Sequence, residues 1–196
     1  MRVSGPCLFT FVSLLALFAG ARETRAVETA RPPAPPPCTA SELRQFDFWV
    51  GDWELTSHSP MPGKDEWQVD PGTPTDHVEV VLDGCGLLQR WEGVPDGTTA
   101  TPLRGMSLSK WEPAIGKWRQ VWIDNQGPML IFTGEFKDGR MELYTDPREA
   151  DGKTIVMRQV FQGIARERMS WSWERSEDAG KSFRPVWKLD YRRRAS

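Results

Sequence analysis

The chain has 196 residues, with 25 Lys or Arg against 27 Asp or Glu and a net charge of −2. That length fits one domain plus processed or flexible ends. The near balance of charge excludes the broad basic field that nucleic-acid binding requires. The Arg192-Arg193-Arg194 run is read as a solvated tail, because three cations supply little of such a footprint.

At the N-terminus an apolar run from Leu8 to Ala19 follows Arg2, and Ala19-Gly20-Ala21 offers small residues for cleavage after Ala21. Residues 1–21 are therefore expected to be a signal peptide. About 12 apolar residues fall short of the roughly 20 that a spanning helix needs, so no membrane span is expected in the mature chain. Cleavage removes Arg2 and Cys7, leaving a charge of about minus three and the pair Cys38 and Cys85. In a periplasmic or secreted protein an even pair predicts a disulfide, with two buried thiols as the alternative. Residues 22–37 are rich in Pro and Ala and short of large apolar groups, which predicts a disordered linker ahead of a domain over 38–193.

The domain opens on a short predicted helix, with Thr39 or Ser41 as cap, Glu42 in its first turn and an end at Phe46. Helix signals then stop. Short segments rich in Val, Ile, Trp, Phe and Tyr, separated by Gly, Pro, Asn and Asp, predict about ten strands. They cover 48–58, 76–82, 86–93, 104–111, 118–125, 129–137, 140–145, 154–163, 168–176 and 182–192. Alternation is clean in several: Met169, Trp171 and Trp173 share one face, and Phe183, Trp187, Leu189 and Tyr191 repeat the pattern. Asp138-Gly139 is a two-residue hairpin signal, and Asp83-Gly84 begins another reversal, which favours pairing in chain order. The expected fold is all-β, an antiparallel up-and-down barrel of about ten strands that hides its own edges, with a sandwich as the rival.

Chemical motifs are sparse. Gly105-Met106-Ser107-Leu108-Ser109 nearly matches a nucleophile elbow, but it lacks the closing Gly and lies inside a predicted strand. His58 and His77 are the only histidines, and neither has a second His or Cys at ligand spacing, so no metal site is expected. No Gly-rich loop opens a helix, and no cofactor is expected. Glu54, Glu92, Asp124 and Glu135 could supply an acid and a base, but nothing in the sequence pairs them. One stretch, Ser176 to Phe183, resembles the Asp-box of sialidases. There the Asp178 carboxylate can bond turn amides while Gly180 adopts angles other residues resist, making a hairpin clasp.

The remaining constellation is on strand faces. Trp118, Gln120, Trp122 and Asp124 alternate on one side of a strand, and Leu87, Gln89 and Trp91 on one side of another. Pointing inward, Gln89, Trp91, Gln120 and Trp122 would make a pocket with apolar walls and a few hydrogen-bonding groups. The alternative is an interior filled by these same side chains.

The stretch QFDFWVGDWEL, residues 45–55, carries a short helix into Gly51-Asp52-Trp53, which resembles the Gly-x-Trp signature of the calycin superfamily. Together with DGCGLLQRWEG, KWRQVWID and WERSEDAGKSF it is similar to an uncharacterised family of secreted bacterial calycin-like proteins, across nearly all of the mature chain. The resemblance implies that Trp53 closes one end of the barrel beneath a cation near the last strand, for which Arg192 or Lys188 is the candidate. It also implies that Gly51 turns the chain into the first strand. A haem-binding calycin would need an axial His late in the chain, and none follows His77. The expected function is binding of a small hydrophobic or aromatic molecule in the barrel. The alternatives are a hydrolase or isomerase using the same pocket, or a solid-core module acting through partners.

Overall fold

Period-two alternation builds nearly every element of the computed structural model, which describes residues 38, 40–95 and 101–195. The expected signal peptide and linker lie outside these residues. The predicted lead helix is present as two 3-10 turns, Ser41–Arg44 and Asp47–Trp49. The second replaces the expected start of the first strand at Phe48, because Gly51 is the first residue to pair.

Twelve strands follow: β1 Gly51–Pro60, β2 Trp67–Val69, β3 Thr75–Val81, β4 Gly86–Glu92, β5 Arg104–Glu112, β6 Lys117–Asp124, β7 Leu130–Lys137, β8 Arg140–Thr145, β9 Arg148–Ala150, β10 Lys153–Gln162, β11 Arg168–Ser176 and β12 Arg184–Arg193. Ten of them close in the order β1-β3-β4-β5-β6-β7-β8-β10-β11-β12, and β12 pairs back onto β1 with Trp53 opposite Arg193. This is an antiparallel up-and-down barrel with no open edge in the ring. The two short strands that were not expected, β2 and β9, pair only with the far end of β1 and the start of β10.

Turn chemistry sets the neighbours. Asp138 and Gly139 have φ of 51° and 75°, the two positive angles that match a tight turn to strand twist, and Lys137 and Arg140 pair across it. Asp151-Gly152 repeats the device between β9 and β10.

The lead segment plugs one end. Phe46, Trp49 and Trp53 are fully buried, and the Phe46 ring meets Trp118 and Phe161 edge-on at 5.0 and 5.5 Å. Such edge-to-face pairs add to the burial of their large apolar area. Trp53 Nε1–H donates to the Trp49 carbonyl at 2.8 Å. The cation above the Trp53 ring is Arg193, at 4.1 Å, and neither Arg192 nor Lys188. Alternation decides this, because Leu189, Tyr191 and Arg193 share the inward parity while Arg192 points outward opposite Glu54. Lys188 instead covers Trp67 at 3.8 Å. Arg193 also donates to the carbonyls of Val50 at 2.7 Å, Phe48 at 3.3 Å and Arg166 at 2.8 Å, so it ties the plug to the last strand. Gly51, at φ 126°, lies against that guanidinium, where a Cβ would overlap Nη1.

Cys38 and Cys85 form a disulfide across a sequence separation of 47. Closing a loop of that length contributes about 4 kcal/mol in the chain-entropy account. The bond fastens the start of the domain to the β3–β4 turn, where Arg44 also donates to the Gly84 carbonyl at 3.0 Å.

The Ser176–Phe183 stretch is a turn closed on itself. Asp178 Oδ1 accepts the amides of Lys181 and Ser182, both at 3.0 Å, and Oδ2 accepts the Ser182 hydroxyl at 2.6 Å. Hydrogen bonds from Ser176 and then Ser182 hold the Asp178 carboxyl well below the ordinary range. Gly180 has φ of 85°, in the left-handed region that glycine tolerates. Phe183 departs from the inward pattern expected of it: it precedes β12 and packs outside the barrel over Arg158 at 4.1 Å.

Among the described residues no helix is long and apolar enough to cross a membrane. The outer wall is uneven. Across β4 to β7 the outward row Leu88, Leu108, Val121 and Ile131 pairs in register, with Met106 beside Ile123 below it, and most of these are half exposed.

Candidate functional site

Register stacks the inward side chains in layers. Above the aromatic plug lies a polar layer: Gln89 pairs with Ser107, and Ser109 with Gln120, across β4, β5 and β6, while Asp76 enters from β3 and Gln159 from β10. All six are buried. One inward position further from the plug come Trp91 and Trp122, which Trp171, Trp173 and Trp187 complete as an aromatic wall. Between the layers is a cavity of about 200 Å³.

Gln89, Trp91, Gln120 and Trp122 all line this cavity. The interior is therefore not filled by them. Room for the Trp122 ring comes from Gly105 on β5, where any Cβ would overlap the indole. Trp187 stands edge-on to Trp171 at 5.2 Å and to Trp91 at 5.7 Å, so the indoles brace one another around the space.

The floor is fixed by hydrogen bonds. Gln89 Nε2 donates to Asp76 Oδ2 at 3.0 Å, and Gln89 Oε1 accepts the Ser107 hydroxyl at 2.7 Å. Gln120 Nε2 donates to Ser109 at 2.8 Å, Gln159 Nε2 donates to Gln120 Oε1, and Gln159 Oε1 accepts the Trp171 indole N–H at 3.2 Å. Each amide is locked by buried or half-buried partners, which is how a polar layer survives in low dielectric. Ser107 and Ser109, the serines of the near-elbow, are spent in this network.

Beneath Gln89 is a titratable group that sequence reasoning passed over, Asp76. Burial pushes its carboxyl up to about 8, against hydrogen bonds from Gln89 and Tyr191 and the nearby Trp49 indole N–H, which favour the charged form. Tyr191 OH donates to Oδ2 at 3.1 Å. Trp49 acts on Asp76 without reaching hydrogen-bonding geometry, so Trp49 Nε1 and Asp76 Oδ1 both lack a partner. At neutral pH Asp76 is thus largely a neutral acid. Its signal was available in the sequence, since Asp76 and Val78 share one strand face.

At the open end, burial of Asp124 is outweighed by hydrogen bonds to Gln126 N, Trp122 Nε1 and Gly127 N, and its carboxyl is held below the ordinary range. The Trp122 bond is 2.6 Å and the Gln126 bond 2.7 Å. The other acids weighed for catalysis are elsewhere: Glu54, Glu92 and Glu135 point outward and are exposed, with Glu135 bonded to Lys117. His58 pairs with Asp190 and His77 with Asp52, both on the outer surface. The structure therefore brings together the four ligand-site candidates and Asp124, and disperses the rest. Trp171, Trp173 and Trp187 join the cavity from strands that had been read for faces and not for a site, and Gln159 from a strand read only for its extent.

No protein-family model matches this chain, and no curated protein matches it.

Proposed function

We propose that the chain is an exported calycin-like barrel that binds a small, partly apolar molecule between Trp91, Trp122, Gln89 and Gln120. The carrying observation is the cavity itself, about 200 Å³ with indole walls over a buried amide floor, lined from Trp49 of the plug to Asp124. Concave, mostly apolar space with a few fixed polar groups is the usual form of a small-molecule site. Export is supported by the apolar run over residues 8–19 and by the disulfide, which persists in an oxidising compartment.

Binding is favoured over catalysis in the same cavity. Among the described residues Asp124 is the one carboxylate lining it, and both of its oxygens already accept hydrogen bonds. The open cavity also weighs against a solid-core module, although the apolar outer row is the kind of surface such a module would use.

A thermal-shift and calorimetric screen against lipids and aromatic compounds tests the reading. A hit should raise the melting temperature, and Gln120→Ala or Trp122→Ala should weaken it at least about tenfold, while Lys137→Ala on the outer surface leaves it unchanged. Silence across the panel, with a crystal structure showing side chains filling the space, would sink the proposal.

A further inference from the structure

We propose that the cavity selects an uncharged, flat molecule carrying a carbonyl-type oxygen, and that the Trp91 indole N–H is the donor that reads this oxygen. The inference rests on the binding function proposed above and narrows its ligand class.

The first observation is an unmet donor. Trp91 lines the cavity and is 4 % exposed, yet its Nε1–H has no hydrogen-bond partner. Other lining indoles differ: Trp122 donates to Asp124, Trp171 to Gln159 and Trp187 to Ser57, while the unmet Trp49 N–H is directed to Asp76. A buried N–H without an acceptor is unfavourable, and a ligand oxygen would relieve it.

The second observation is the balance of the remaining polar capacity. Each side-chain amide nitrogen carries two N–H groups. Gln89, Gln120 and Gln159 each donate one, to Asp76, Ser109 and Gln120 respectively, which leaves one on each. Their oxygens already accept from Ser107, Gln159 and Trp171. The floor keeps spare N–H groups beside the wholly unmet Trp91 N–H, which carries no acceptor capacity of its own, and a ligand acceptor would meet them.

The third is charge. No Lys, Arg or His lines the cavity among the described residues, and the one lining carboxylate, Asp124, would repel an anion. Burying an unpaired carboxylate ligand against indoles would be costly. Flatness follows from the walls, because Trp171 and Trp173 lie parallel to within 1° and Trp187 stands across them, giving planar faces for a planar ring to lie on.

The test is calorimetry on the disulfide-bonded protein with bicyclic probes of one size: coumarin and chromone as neutral carbonyl compounds, naphthalene as the acceptor-free shape, and 1-naphthoate as the anion. Coumarin and chromone should bind about tenfold or more tightly than naphthalene or 1-naphthoate, the worth of satisfying a buried donor. Trp91→Phe keeps an aromatic wall and should bring the ratio of coumarin to naphthalene affinity close to one. Should that variant fail to fold, the indole N–H resonances of 15N-labelled wild type serve instead: one should move downfield with coumarin and stay in place with naphthalene. Equal affinity for coumarin and naphthalene overturns the ligand class and leaves the cavity as a binding site. An unchanged ratio in Trp91→Phe removes Trp91 from the assignment. Absence of binding by every probe overturns the class and the binding function together.

Discussion

Replacing Asp76 by Asn gives the most quantitative test of the interior. Burial raises the carboxyl from 3.8 to about 8, so between those values the folded chain holds a proton that the unfolded chain has released. The stability this proton confers is fully present below pH ~4 and is lost as pH rises through about 8. Within that window wild type loses about 1.4 kcal/mol per pH unit from this group alone. Asn is isosteric and neutral at every pH, and its oxygen can still accept from Gln89 and Tyr191. Relative to wild type, Asp76→Asn should therefore gain about 3 kcal/mol between pH 5 and pH 7, and no more than about 6 kcal/mol in all. Urea unfolding of both proteins at pH 5, 6, 7, 8 and 9 measures the difference, in which all other titrating groups cancel. A difference that stays flat across this range would mean that Asp76 is ionised in the folded protein, and the account of the cavity floor would fail.

Two further outcomes follow from the closed end and the clasp. Arg193→Met removes the cation over Trp53 and three bonds to carbonyls of the plug and the β10–β11 connection, and should destabilise the protein by about 3 kcal/mol in urea unfolding. Arg192→Met, one residue away but outward, should stay within about 0.5 kcal/mol; equal effects would refute the assignment of the closing cation. Asp178→Ala should accelerate amide hydrogen exchange at Lys181 and Ser182 without altering ligand binding, and unchanged exchange at both amides would refute the clasp.

The strands themselves were readable because a pleated chain with one buried side writes its geometry as strict alternation. Trp118, Gln120, Trp122 and Asp124 turn inward as that rule requires, and Asp138-Gly139 announces its hairpin because only a few residues accept two positive φ angles. The disulfide was legible for a similar reason, since the expected loss of Cys7 leaves a single possible pairing. Asp76 was overlooked although its parity is plain, because a short acidic residue in a strand reads as solvent-facing unless the strand on each side is known. The two short strands β2 and β9 escaped notice because three residues are too few to show a period.

What the amino-acid order determined by itself is therefore local: which residues face one way, where the chain reverses, and which cysteines are left to pair. Closure of the ring decided the rest. Pairing of β12 with β1 sets Arg193 opposite Trp53, and joining β8 to β10 and β10 to β11 carries Gln159 to Gln120, 39 residues away in sequence. Whether a layer of inward side chains fills its barrel or leaves a cavity depends on the circumference and on where a glycine such as Gly105 makes room. Those are properties of ten strands in register, and no one strand encodes them.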